Sequence, residues 1–363
     1  MGLKIKWDIT YKCNLNCKHC VNGEYIGKLD NELTTNQVFT VIDNLSRLNI
    51  DFVHILGGEP TAREDFIEII RYMDKKNIFF GFNTNGLKFN DDKLLNEISV
   101  NKHIKNIIFS IEGPIAEIND NIRGKNVFNI TINNLKRLIY IKEKYKLSNL
   151  IITINTVLSK LNKDYLNDMI DFCIDLGVDQ LVLLQLINEG NAKNINASLN
   201  FEEEVEAIKI IANKYKSIKD KLDINPKFTR PLAIDYCKNI LGLEFPEVIH
   251  GCGAGVNFAY MNNKGEVYPC DRYIEQIKKE NILSNLSLVE NEFYDIWGLP
   301  KYDELYKITE GTDFYQNLEP CKDCKYLRTY CYPCPLTIKK INNMATINSC
   351  KKFLDLIEKY KSK

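Results

Sequence analysis

The sequence predicts an α/β fold, a parallel sheet with helices on its outer side, curled into a barrel or part-barrel. Three observations carry this. Six strand-then-helix units follow one another between Leu3 and about Leu186. The residues able to do chemistry fall just after those strands, where a barrel keeps its site. Beyond Pro226 the alternation stops and cysteine density rises, marking an appended region.

The elements follow in order. Leu3, Ile5, Trp7 and Ile9 alternate with Lys4, Lys6, Asp8 and Thr10 at the period of a strand. Thr34 to Leu48 reads as a helix opened by a capping box, Thr34 and Gln37. Phe52 to Leu56 is an apolar run ending in Gly57-Gly58, followed by a helix over Asp65–Lys76. A strand over Ile78–Asn83 stops at Asn85-Gly86. Strand Ile104–Ile111 precedes a helix near Phe128–Tyr145, and strand Leu150–Val157 precedes a helix Tyr165–Leu176 closing on Gly177. The sixth strand, Gln180–Leu186, ends at Asn188-Glu189-Gly190, and a last helix runs from Phe201 to about Leu222. A domain boundary is expected in Asp223–Arg230. Val256–Met261 and Glu266–Tyr268, joined by Asn262-Asn263-Lys264-Gly265, read as a β-hairpin.

Bulk properties narrow the function. At 363 residues the chain exceeds one comfortable core, so two domains or a barrel with an appendage are expected. Formal net charge is zero with the signs interspersed, which gives no electrostatic case for a nucleic-acid or membrane partner. No stretch approaches the ~20 apolar residues of a membrane span, and no signal peptide opens the chain, so a cytoplasmic location is expected. Twelve cysteines in a reducing compartment argue for metal or redox chemistry rather than disulfides.

Cys13, Cys17 and Cys20 form C-x3-C-x2-C directly after the first strand. Three thiolates on one loop suit three irons of a cubane, leaving the fourth iron open for chemistry. The alternatives are a zinc site short of a ligand or buried cysteines with no role. Gly57-Gly58-Glu59-Pro60 then closes strand two. Glycines allow close backbone approach, and a carboxylate suits an ammonium group.

Taken together, these motifs resemble the radical S-adenosylmethionine (SAM) superfamily, which places such a cysteine loop in a (β/α)6 partial TIM barrel. The resemblance implies a SAM-binding [4Fe–4S] cluster on Cys13, Cys17 and Cys20, and a GGEP segment, Gly57, Gly58, Glu59 and Pro60, that binds the SAM amino group. Asn83-Thr84-Asn85-Gly86 resembles the family's TNG segment, and Ser110-Ile111-Glu112-Gly113 with Arg123 its S-x-D-G and downstream Arg. By that likeness Asn85, Ser110 and Arg123 contact SAM, while Glu112 stands where Asp is commoner. His19 precedes the last cysteine, where an aromatic is frequent; it packs near adenine or is an exposed loop histidine. The implied reaction is reductive cleavage of SAM to a 5′-deoxyadenosyl radical that abstracts a substrate hydrogen atom.

The later cysteines resemble the SPASM domain, a small cysteine-rich α+β unit at the C-terminus of many radical SAM peptide-modifying enzymes. Cys252 and Cys270 flank the hairpin in C-x12-G-x4-C, and Cys321, Cys324, Cys331, Cys334 and Cys350 follow, with the third cysteine of the run displaced by one position. The likeness implies two auxiliary [4Fe–4S] clusters: one on Cys237, Cys252, Cys270 and Cys334, the other on Cys321, Cys324, Cys331 and Cys350. Structural zinc, or a first auxiliary cluster left open by Cys237, are the alternatives. Cys173, mid-helix, reads as core. The division expected is 1–222 for the barrel, 223–280 for a bridging region with the hairpin and the first auxiliary ligands, and 281–363 for the SPASM domain.

Asp271 follows Cys270 directly; an Asp there in sulfatase-maturing relatives is a proposed base, so Asp271 is the candidate catalytic residue, or else pairs with Arg272. Modification of a peptide or protein substrate is the first functional expectation. Formylglycine formation in sulfatases and dehydrogenation of a small alcohol are the alternatives, with a non-catalytic iron–sulfur or zinc scaffold behind them. Twelve residues precede Cys13, so leader-peptide recognition would fall to a separate protein or to the barrel and SPASM surfaces. A flavodoxin or ferredoxin is implied as electron donor.

Overall fold

The computed structural model describes residues 2–28, 32–249, 251, 253–274, 286–297, 318–331, 334 and 345–361. Within them β1 (Leu3–Asp8), β2 (Ile50–Leu56), β3 (Phe80–Thr84), β4 (Ile104–Ser110), β5 (Ile151–Leu158) and β6 (Gln180–Gln185) appear where the sequence periodicity predicts six strands. They pair in parallel, each with the next in sequence. The helices α1 (Thr35–Ser46), α2 (Phe66–Lys75), α3 (Asp92–Val100), α4 (Ala116–Arg123), α5 (Val127–Lys144), α6 (Leu166–Leu176) and α7 (Phe201–Ile218) alternate with them.

Local chemistry sets these limits. Thr34 caps α1 by the predicted box: Gln37 N donates to Thr34 Oγ1, and Thr34 N donates to Gln37 Oε1 at 3.0 Å. Gly177, at φ 74°, ends α6 in the left-handed conformation that glycine takes most readily. The strand period then separates two faces. Ile5, Trp7, Val53, Ile55, Phe80 and Phe82 lie in one buried core with helix residues such as Val41, Ile70 and Leu135. The opposite face is polar: Lys6 pairs in register with His54 on one side and Tyr260 on the other, and His54 Nε2 lies 2.7 Å from Asn83 Oδ1.

The sheet is larger than the sequence predicts. It has nine strands among the described residues, in the order β7-β6-β5-β4-β3-β2-β1-β8-β9. The strand β7 (Asp223–Asn225) adds to the β6 edge inside the expected domain boundary. The hairpin, β8 (Phe258–Met261) and β9 (Val267–Tyr268), does form, but β8 runs parallel to β1 and extends the barrel sheet. The turn between them closes at Gly265, φ 72°. The barrel and the region carrying Cys270 therefore share one continuous sheet. No helix of the described residues is long and apolar enough to cross a membrane.

Candidate active site

The segment after β1 continues beside the segment after β2. Gly58 N donates to Thr10 O at 2.7 Å and Glu59 N to Lys12 O at 2.8 Å. A Cβ on Gly57, whose φ is 136°, would stand 2.1 Å from Thr10 O, and one on Gly58 would stand 2.4 Å from Lys12 O and 3.1 Å from Cys13 Cβ. Both glycines are thus needed for the approach of the GGEP backbone to the cysteine loop itself. Arg63, buried, braces the same junction by donating to Ile9 O, Leu33 O and Asp65.

Glu59 joins three motifs. Its Oε1 accepts from Thr61 Oγ1 at 2.6 Å and Thr84 Oγ1 at 2.9 Å, and its Oε2 from Asn85 N at 2.6 Å. Burial pushes this carboxyl above the usual range while those donors pull it down. Asn85 Nδ2 in turn donates to Asn14 Oδ1, in the cysteine loop, at 2.7 Å. Pro60 starts the short turn after Glu59, and Ser110 closes β4 opposite Asn155.

On the other side of the loop, Cys17 Sγ donates to Arg123 O at 3.9 Å and Lys18 N to Ile122 O at 2.9 Å. Arg123 Nη1 donates to Glu112 Oε1 at 3.2 Å, and His19 Nε2 lies 3.2 Å from the same oxygen. Glu112 Oε2 accepts from Val157 N at 2.8 Å. Its carboxyl sits below the usual range: burial would raise it, but His19 and then Arg123 outweigh burial. Asn191, in the loop after β6, closes the third side. Its Nδ2 donates to Asn16 Oδ1 and Cys17 O, each at 2.9 Å, and its backbone N donates to Cys20 O at 2.9 Å.

The cysteines fall into groups. Burial pushes Cys13 up to about 11, with Glu59, Cys17 and Cys20 adding to it, and it also raises Cys17 and Cys20. Cys321, Cys331 and Cys350 are raised chiefly by burial and then by neighbouring thiols, Cys324 among them for each. Cys237 stands apart from both groups: it is fully buried in the apolar core at the end of α8 (Leu232–Tyr236), and burial alone pushes it up to about 12. Cys252 lies outside the described residues. Cys270 and Cys334 are both half-buried. Cys173 is buried in α6, in the core.

A radical SAM superfamily profile matches residues 7–173, and an iron–sulfur cluster-binding SPASM profile matches residues 252–325. The chain carries a radical SAM domain followed by a SPASM domain. It is 28% identical over 310 residues to a mycofactocin maturase of Mycolicibacterium smegmatis, covering 84% of this chain and 71% of that one. To an AdoMet-dependent heme synthase of Oleidesulfovibrio alaskensis it is 24% identical, over 89% and 80% of the two chains. The crystal structure of Streptococcus suis SuiB bound to S-adenosylmethionine shares the fold, with a TM-score of 0.71, 17% identity, and 94% and 74% of the chains covered.

As a radical SAM enzyme with a SPASM domain, the protein uses SAM and [4Fe–4S] clusters. The N-terminal site fits this pair. Three soft thiols on one loop lie within reach of each other's charge. Two buried polar atoms beside them, His19 Nδ1 and Arg123 Nε, have no partner, as a pocket for a polar cofactor requires. Among the described residues no three His, Cys, Asp or Glu side chains converge tightly enough for a single metal ion.

Sequence reading missed Asn191 and the part Glu112 plays. Asn191 stands 171 positions beyond Cys20, in a loop without periodicity, so nothing local announces it. Asp271 is brought to β1: its Oδ2 lies 2.7 Å from Lys6 Nζ, the side chains being 43% and 32% exposed. Burial opposes ionisation there, but Lys6 and then Arg272 hold the carboxyl below the usual range.

Proposed function

We propose that the enzyme modifies a peptide substrate at the inner face of the barrel, with Cys13, Cys17 and Cys20 holding the SAM-binding cluster. When bound, cluster and SAM supply a carbon-centred radical able to take a hydrogen atom. The observation that carries this reading is the continuity of the sheet across β1 and β8. It sets the cysteine loop at one end of β1's polar face and Asp271, next to Cys270, against Lys6 of the same face.

The residues divide the work. Gly57, Gly58, Glu59 and Pro60 shape the wall against the cysteine loop, and Asn85, Ser110 and Arg123 present polar atoms around SAM. Asp271, held as a carboxylate by Lys6, is the group placed to take a proton from the substrate. Cys321, Cys324, Cys331 and Cys350 hold one auxiliary cluster; Cys252, Cys270 and Cys334 serve a second, to which Cys237 belongs only if its helix turn opens. A peptide is favoured as substrate by the maturase relative and by the SuiB structure bound to precursor peptide SuiA. A flavodoxin or ferredoxin supplies the electron, a separate protein recognises the leader, and the cytoplasm is the compartment. The heme-synthase relative supports a second reading, modification of a small molecule at the same site.

The test is anaerobic reconstitution with iron and sulfide, then addition of SAM, reductant and candidate precursor peptides. The expected result is 5′-deoxyadenosine and a mass change in a peptide, both lost in Cys13→Ala/Cys17→Ala/Cys20→Ala, with iron near about twelve per chain in the wild type. Asp271→Asn should still cleave SAM yet leave the peptide unmodified. Deoxyadenosine made at full rate by the triple variant would overturn the assignment, and turnover only with a small molecule would favour the second reading.

A further inference from the structure

Tyr260, on β8, is buried at 2% exposure and touches three parts of the candidate site. Its Oη donates to Asp8 Oδ2, at the end of β1, at 2.7 Å, and lies 3.3 Å from Tyr11 Oη, at the root of the cysteine loop. A hydroxyl carries one hydrogen, and Tyr260 gives its own to the carboxylate, so Tyr11 donates across the second contact. The chain runs from Tyr11 through Tyr260 to Asp8, and the charged acceptor at its end strengthens the bond before it. On its ring side, Tyr260 lies 5.9 Å from Lys6 Nζ, the ammonium that pairs with Asp271. Across the hairpin its register partner is Tyr268, with 6.4 Å between ring centroids, two positions before Cys270.

Tyr11 is the residue that closes the cysteine loop. Its O accepts from Gly27 N at 3.0 Å, and its N donates to Glu32 Oε1 at 3.1 Å. Its ring stacks on Tyr25, with centroids 5.5 Å apart and planes 26° apart. The chain before Cys13 and the turn after Cys20 are therefore pinned to one side chain and its backbone. Main-chain pairing of β8 with β1 runs only to Trp7 opposite Met261, short of that loop. The hydroxyl of Tyr260 carries the connection onward, from the stretch matched by the SPASM profile to the stretch matched by the radical SAM profile. Packing alone would not need it, because phenylalanine fills the same buried volume.

We propose that Tyr260 is a positioning residue: its hydroxyl, fixed by Asp8, holds Tyr11 and so keeps both roots of the cysteine loop in the form that receives cluster and SAM. The hairpin next to Cys270 thereby helps to order the SAM-binding loop. This role rests on the proposed function in one respect, that Cys13, Cys17 and Cys20 are the cluster's ligands.

The first experiment is hydrogen–deuterium exchange of the apo full chain, read by mass spectrometry. Tyr260→Phe should speed exchange over residues 11–28 roughly threefold and leave β3 to β6 unchanged, a local opening with the fold intact. Tyr11→Phe removes the same bond from its other side and should match it, and the double variant should add nothing to either alone. Asp8→Asn, which still accepts from Tyr260, should stay near wild type. Wild-type exchange over residues 11–28 in Tyr260→Phe overturns the proposal, as does an equal rise across β3 to β6. If Tyr260→Phe does not fold, Tyr11→Phe decides by the same two criteria. The second experiment follows the electron paramagnetic resonance spectrum of the reduced, reconstituted protein as SAM is added. Tyr260→Phe at full iron content should need roughly threefold more SAM for half of the spectral change. An unchanged SAM requirement overturns the proposal. The same spectral change in Cys13→Ala/Cys17→Ala/Cys20→Ala would overturn the ligand assignment instead, while the exchange result for the apo chain would stand.

Discussion

His19 Nε2 lies 3.2 Å from Glu112 Oε1, the oxygen that also accepts from Arg123. A histidine of the cysteine loop is thereby clamped to the end of α4 through a carboxylate on the β4–α4 connection. Removing that carboxylate leaves the buried Arg123 guanidinium uncompensated. Glu112→Ala should therefore cost about 3–5 kcal/mol in urea unfolding of the apo protein. The pH dependence has a definite sign. Because the folded carboxyl lies below its ordinary value, its stabilisation is complete above that value and is lost as pH falls through the lowered one. Glu112→Gln should flatten the acid limb of the stability curve; an unchanged acid limb would show that the pair adds nothing.

Gly57→Ala and Gly58→Ala test the junction between the GGEP segment and the cysteine loop. The first introduces a Cβ 2.1 Å from Thr10 O at a φ of 136°, strain of about 1–3 kcal/mol before any clash is counted. The second pushes on Lys12 O and Cys13 Cβ. Each variant should lose the N-terminal cluster's share of iron, about four per chain, and keep the auxiliary share. Equal loss from all clusters would point to global unfolding, which far-UV circular dichroism distinguishes.

Part of this site was legible because its motifs are contiguous. Cys13, Cys17 and Cys20 sit on one loop, and the GGEP and Asn85 segments each follow a strand whose period is clear. The longer strands are legible for the same reason, since five or more residues suffice to show alternation. What escaped is short or distant. The strand β7 has three residues, too few to show a period. The hairpin was visible, but its addition to β1 was not, because nothing in residues 258–268 encodes which edge they join. Glu112 reads as a departure from Asp. Only the fold shows that its longer side chain reaches His19, Arg123 and Val157 N together.

Asn191→Ala removes two hydrogen bonds onto the cysteine loop, to Asn16 Oδ1 and to the carbonyl of Cys17. The backbone bond from Asn191 N to Cys20 O remains. The loss should be modest in stability, about 1–2 kcal/mol, and larger in loop order. Iron should enter the N-terminal site more slowly during reconstitution, while the auxiliary clusters load at the wild-type rate. Equal loading rates at both would show that the β6 loop does not steady the cysteines.

Asp8 ends β1 on its polar face, accepting from Tyr260 Oη at 2.7 Å through Oδ2, while its buried Oδ1 has no partner. Burial raises its folded pKa above the ordinary 3.8, ahead of the opposing pull of Lys6 and of the Tyr260 hydrogen bond. A carboxyl raised in this way binds more protons folded than unfolded between the two values. Stability therefore falls as pH rises through that window and stays lower above it. Asparagine keeps the shape and still accepts from Tyr260, but has no charge to desolvate. Asp8→Asn should stabilise the apo protein at neutral pH by about 1 kcal/mol or more. The advantage should shrink as pH approaches the ordinary aspartate value. Urea unfolding of both proteins across that range is the measurement. A variant less stable than wild type at neutral pH would mean that Lys6 fully compensates the carboxylate, and that its free oxygen is no burden to the fold.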